Sequence, residues 1–172
     1  INLLYEVAER MRREYDNFAF FLVGGDPEKV EMHRAKARRL GLGAHFVFAG
    51  SVPYEDVPEH IRAMDVTLVP DTTYWSSPTK LFEYQASGTP TVAPRYAAIV
   101  EAMTDGKEGL FFEPRNVEQF AARLLELARD PARRIKMGLN ARRRVLSSHS
   151  IDDQVARIIE IFEIIRRRRV DD

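Results

Sequence analysis

The apolar positions of this chain change period in a regular way. From Asn2 to about Tyr15, the residues Leu3, Leu4, Val7, Ala8, Met11 and Tyr15 recur in helical stride. Residues 18–23 then form an unbroken apolar run that stops at Gly24, Gly25, Asp26 and Pro27. That order predicts a buried strand, a tight loop, and a helix with Asp26 as N-cap and Pro27 as its first residue. The helix should run to about Leu42 and close at Gly41 and Gly43. The same alternation repeats: strand 45–48 ended by Gly50, helix 55–64, strand 66–69, polar loop 70–77, helix 78–87, strand 91–93, short helix 97–103 and strand 109–112. No hairpin signal joins any strand to the next, so the five strands predict a parallel sheet covered by helices on both faces.

After Pro114 the pattern is helical only. One helix is expected over 116–129, started by Arg115 or Asn116, and a second over 131–148 with Pro131 in its first turn. A third spans 150–168 with Ser150 as N-cap, and its residues Ile151, Val155, Ile158, Ile159, Phe162 and Ile165 make one wide apolar stripe. The expected fold is α/β, a Rossmann-like doubly wound parallel sheet with a C-terminal helical cluster. It is one domain over 1–172, alternating β/α up to 114 and helical from 115.

Composition narrows the classes without choosing one. The 172 residues are 45% apolar and 30% charged, which excludes a disordered or fibrous chain. The absence of cysteine excludes a disulfide scaffold, a thiolate zinc site and a cysteine nucleophile. It fits a reducing, cytoplasmic setting. No apolar stretch approaches the ~20 residues of a membrane span. Net charge is zero but uneven: residues 1–114 carry 12 Lys/Arg against 17 Asp/Glu, and residues 115–172 carry 14 against 9. The run Arg166, Arg167, Arg168 and Arg169 reads first as a solvated helix end and second as a contact with an anionic membrane at its inner face. Nucleic acid is not expected, because no aromatic residues interleave the basic ones.

In open parallel sheets, ligands bind beyond the carboxyl ends of the strands. Here those ends lead into loops rich in Gly and small residues, and the segment 76–83 carries the most chemistry. Ser77 and Pro78 set a helix start whose free N–H groups favour an anion, and Lys80 adds a full charge there. Glu83 lies one turn beyond Thr79 on the same face, where a carboxylate can accept hydrogen bonds from a pair of hydroxyls. Phosphate at the tip and a diol one turn along describe a nucleotide; a plain Lys–Glu surface pair is the alternative. No Walker loop or dinucleotide fingerprint is present. His33, His45, His60 and His149 lack metal-ligand spacing and read as structural, and the segment 147–150 reads as a helix junction rather than a nucleophile elbow.

Residues 77–93, Ser-Pro-Thr-Lys-Leu-Phe-Glu-Tyr-Gln-Ala-Ser-Gly-Thr-Pro-Thr-Val-Ala, closely resemble the donor-site segment of the family-four retaining glycosyltransferases of the GT-B fold. Segments 21–26, 47–52, 63–70 and 105–112 resemble that family's other strands and loops, in order, over 18–150. The resemblance implies that Glu83 accepts the ribose hydroxyls and that the backbone of Thr79, Lys80 and Leu81 holds the distal phosphate. It further implies that Gly50 to Val52 meet the base and that Gly24 and Gly25 let a loop approach the phosphates or a partner domain. Trp75 stands where the family's first motif Glu belongs, which puts sugar contacts at that point in question. The chain opens at Ile1 without Met, after the place of the family's diphosphate-binding Arg and Lys. It is therefore expected to be the donor half of a two-domain enzyme, without one strand and the acceptor-binding N-terminal domain. The implied activity is transfer of a sugar from a UDP-, GDP- or ADP-sugar to an acceptor, metal-independent and without a further cofactor, by a larger protein of which this piece alone is inactive. A non-catalytic nucleotide-binding or regulatory module, or a nucleotide-sugar epimerase, are the competing readings.

Overall fold

The computed structural model describes residues 1–72, 79–148 and 151–168. The chain opens with α1 (Asn2–Met11), then β1 (Phe20–Val23), α2 (Pro27–Arg39), β2 (Phe46–Gly50) and α3 (Val57–Arg62). Next come β3 (Thr67–Leu68), α4 (Thr79–Ala86), β4 (Thr91–Pro94), α5 (Ala97–Ala102) and β5 (Gly109–Phe112). Three helices follow: α6 (Val117–Ala128), α7 (Pro131–Ser148) and α8 (Ile151–Arg168). Several starts follow from local chemistry. The Asp26 carboxylate accepts from the N–H groups of Glu28 and Lys29, and Asn116 accepts from Gln119 N–H, so α2 and α6 begin where a side-chain cap stands. The Ser150 cap lies outside the described residues.

Among the described residues all strand pairs are parallel, and they fall into two ladders, β1-β2 and β3-β4-β5. Parallel strands covered by helices agree with the expected α/β fold, and the division into two ladders lies beyond what periodicity can tell, since it shows which residues are in strands and not which edges meet. β4 and β5 are buried along their whole length. Val92, Leu110 and Phe112 enter one core with Leu4, Val7, Met11, Phe120 and Leu124, while Ala93 and Phe111 enter a second with Val69, Leu81 and Ile99. Alternate residues thus serve opposite faces, and helices cover both. Phe112 and Phe120 stack at 4.1 Å, locking β5 to α6. Gly109 has no alternative: a Cβ there would stand 2.0 Å from the Thr91 carbonyl.

α1 rests on α6 near the far end of the alternating region. Arg10 pairs with Glu118 at 2.6 Å, and Arg129 Nη2 lies 3.4 Å from Glu14 Oε2. α1 stops at Met11 rather than near Tyr15, and residues 12–14 form turns although the helical period of the apolar positions runs on to Tyr15. The expected helix 55–64 divides into a 3-10 turn at Tyr54–Asp56 and the shorter α3, with Pro58 early in its first turn. In α8 the stripe is exposed at Val155, Ile158, Ile159, Phe162 and Ile165, with Ile159 54% and Phe162 68% accessible, so these residues add nothing to the core.

Candidate functional site

The site is built on α4. Leu81 is fully buried against Val69, Ala93 and Ile99, a contribution of ~1.5–3 kcal/mol that fixes the first turn of the helix. One turn on, buried Gln85 donates from Nε2 to the Ala102 carbonyl at 2.9 Å. Held at these two points, α4 leaves Thr79 and Lys80 exposed in its first turn, where backbone N–H groups have no intrahelical acceptor. Glu83 is half-buried one turn further along. Its carboxylate Oε1 lies 3.5 Å from the Tyr54 hydroxyl, and burial together with that carboxylate raises the pKa of the neighbouring Tyr84 phenol.

Two glycine loops face α4. Gly24 and Gly25 follow β1 with φ of 95° and 105°, and Gly50 ends β2 at 74°, conformations that side-chain-bearing residues rarely adopt. The Gly24 N–H donates to the Gly50 carbonyl at 2.6 Å, and the Ser51 hydroxyl to the Gly25 carbonyl at 3.1 Å, so the two loops are tied to each other. Gly24, Val52, Pro70, Lys80 and Glu83, at the carboxyl ends of the strands, border one end of an elongated cavity of about 1300 Å³ that reaches Asp65 and Arg134 at the other. The structure therefore brings together residues that lie far apart in sequence but were expected at one site. Gly25 and Gly50 are tied to its rim through these hydrogen bonds, and Leu81 acts beneath it as the anchor of α4. Trp75, Ser77 and Pro78 lie outside the described residues.

Tyr54 and Tyr84 were not among the expected residues. Tyr54 left one signal, an aromatic side chain in a polar loop, and it is 78% exposed. Tyr84 left none, since its position on α4 reads equally well as core. His33, His45 and His60 sit in structural contacts. His33 Nδ1 meets the Tyr5 hydroxyl at 3.1 Å, His45 is buried against Phe18, and His60 stacks on Phe21. Among the described residues no cluster of three His, Asp or Glu side chains could hold a metal ion, and no helix is long and apolar enough to cross a membrane.

The family model described as "Glycosyl transferases group 1" matches residues 1–144. The chain belongs to this family. Among curated relatives, the group 1 chain is 28% identical over 174 residues to a GDP-mannose-dependent alpha-(1-6)-phosphatidylinositol monomannoside mannosyltransferase of Mycolicibacterium smegmatis, covering 98% of itself and 45% of that protein. It is 33% identical over 145 residues to a D-inositol 3-phosphate glycosyltransferase of Kribbella flavida, covering 80% of itself and 34% of the relative. The chain thus spans less than half the length of these relatives. Its fold matches Anabaena HepE, solved in complex with UDP, with a TM-score of 0.81 at 19% identity over 92% of this chain and 44% of that one. It also matches the C-terminal domain of a group 1 glycosyl transferase from Francisella tularensis, at TM-score 0.74 and 22% identity, covering 87% of this chain and 78% of that domain. The Rossmann-like α/β fold agrees with both.

Proposed function

We propose that this group 1 glycosyl transferase chain binds the donor of a retaining sugar transfer, a nucleoside diphosphate sugar, at the mouth formed by α4 and the two glycine loops. One observation carries the reading: Lys80 in the first turn of α4 and Glu83 one turn on border the same cavity as Gly24 and Val52. The diphosphate lies at the helix start, where N–H groups and the Lys80 ammonium stabilise the charge that grows on the leaving group. Glu83 accepts hydrogen bonds from the ribose hydroxyls, and the strand ends at Gly50 to Val52 meet the base. Positive φ at Gly24 and Gly25 keeps the facing loop close and free of side chains. In this arrangement the cations and the helix supply the charge, and no metal is called for. Sugar transfer itself belongs to the longer protein, whose second half brings the acceptor; the lipid and inositol acceptors named for the relatives mark the class to try first.

Titration calorimetry with UDP, GDP and ADP tests this, with GDP and UDP suggested by the names of the M. smegmatis relative and of the HepE complex. One nucleotide should bind, and Glu83→Ala should weaken it at least tenfold, which is ~1.4 kcal/mol. Binding by none of the three, or equal binding by the variant, would overturn the site.

A further inference from the structure

The carboxylate of Glu83 has one hydrogen-bond partner among the described residues, and it comes from another part of the fold. No Lys or Arg among them pairs with it, Lys80 on the same helix included. The partner is the Tyr54 hydroxyl, 3.5 Å from Oε1. Tyr54 opens the 3-10 turn Tyr54–Asp56 in the loop between β2 and α3. Its side chain is too exposed for burial to hold the ring in place, and Glu83 gives it a polar anchor.

Both partners stand on anchored backbone. The loop that carries Tyr54 is fastened to the β1 side at each end. Ser51 bonds the Gly25 carbonyl before it; after it, His60 Nδ1 lies 2.9 Å from the Asp56 carbonyl while its ring stacks on Phe21 of β1. Glu83 stands on α4, which Leu81 and Gln85 fix to the other side. Among the described residues no strand pair joins the β1-β2 ladder to the β3-β4-β5 ladder. The phenol therefore reaches from one ladder's loop to the other ladder's helix, at the point where the cavity is bordered by Glu83.

A glutamate side chain turns about several bonds, and ordering it only when a ligand arrives costs affinity. A tyrosine has two side-chain torsions and makes a stiff arm. Holding Oε1 in advance, it sets the carboxylate in one orientation. The two oxygens of a carboxylate offer about four acceptor positions, so the one given to Tyr54 leaves room for both hydroxyls of a vicinal diol. The phenol brings no positive charge, so the carboxylate keeps its full strength as an acceptor.

We propose that Tyr54 is a positioning residue of this site: its hydroxyl orients Glu83 for the ribose diol and so sharpens the preference for a nucleotide that carries both hydroxyls. The proposal rests on the nucleotide reading given above.

Titration calorimetry tests it with UDP, GDP and ADP and with the form of each that lacks both ribose hydroxyls, on the parent chain, Tyr54→Phe, Glu83→Ala and the double variant. Phenylalanine keeps the ring and removes only the hydroxyl, and at so exposed a position the urea midpoint should stay where it is. Tyr54→Phe should weaken the bound ribonucleotide about fivefold, which is ~1 kcal/mol. It should leave the form without the diol unchanged, and it should add nothing once Glu83 is Ala. Equal weakening of both forms would make Tyr54 a support of its loop and overturn the proposal. No weakening would overturn it too, as would tighter binding, which would make Tyr54 a competitor for Glu83. The nucleotide reading fails on a different result, seen in the parent chain alone: binding by none of the three, or equal binding with and without the diol. The role of Tyr54 would then fall with it.

Discussion

At the scale of single residues, Gly24 separates backbone conformation from ligand approach. A Cβ at Gly24 or at Gly106 would meet nothing within 4 Å, and both residues have positive φ, 95° and 77°. Alanine at either should therefore cost a similar ~1–2 kcal/mol of backbone strain in urea unfolding. Only Gly24 borders the cavity mouth, so only Gly24→Ala should also weaken nucleotide binding; equal effects of the two on binding would remove Gly24 from the site. His33 is expected to contribute a pH step. Burial, the charge on the chain's first amine and Lys36 all lower its pKa, so folded His33 holds fewer protons than unfolded His33 below the ordinary value of about 6.5. Acidification from pH 7.5 towards 5 then favours the unfolded chain, and stability is recovered as pH rises. Urea midpoints at the two pH values should differ less in His33→Gln than in the parent protein. The candidate residues were legible to different degrees for physical reasons. Lys80 and Glu83 could be read because a helix start and a one-turn spacing are local. Tyr54 could not, since its approach to Glu83 depends on how the loop after β2 folds over α4.

Among the elements, α4 carries the site and α7 carries α4. Gly138 of α7 lies against the turn that follows α4, where a Cβ would stand 2.0 Å from the Gly88 carbonyl. Gly138→Ala must push the two elements apart, and a loss of ~1–3 kcal/mol or more is expected on denaturant unfolding. Because the displaced element positions Lys80 and Glu83, nucleotide affinity should fall with it, although Gly138 is remote from the mouth. Unchanged stability in this variant would show that α7 can slide freely over the turn. The elements were mostly legible in advance. Strand 109–112 was read with its observed bounds, since Gly109 and Pro114 bracket an apolar run, and Asp26 and Asn116 marked helix starts through their own hydrogen bonds. The end of α1 and the split before α3 were not, because the helical period of the apolar positions runs on through both boundaries. The break between the two ladders leaves no local trace at all, as pairing joins residues distant along the chain.

For the whole molecule, the exposed stripe of α8 is the largest departure from a closed globule. Ile158, Ile159, Ile161, Phe162 and Ile165 are each 46–68% accessible. Replacing Ile159 and Phe162 together with Lys should leave the unfolding midpoint within ~0.5 kcal/mol of the parent, because neither residue packs in the fold. Sedimentation at rising concentration should show less self-association in the same variant, as contiguous apolar surface of this kind drives association. A large fall in stability would instead place α8 in the core. The seating of α1 on α6 has another consequence, one of timing. Arg10 waits for Glu118, 108 residues later, and the intervening strands cannot close their shared core before α6 arrives. At ribosomal rates of roughly 5–20 residues per second, the first helix spends about 5–20 s with Leu4, Val7 and Met11 uncovered. During vectorial synthesis the part of the shared core that α6 completes therefore stays open until residues 117–128 have been made.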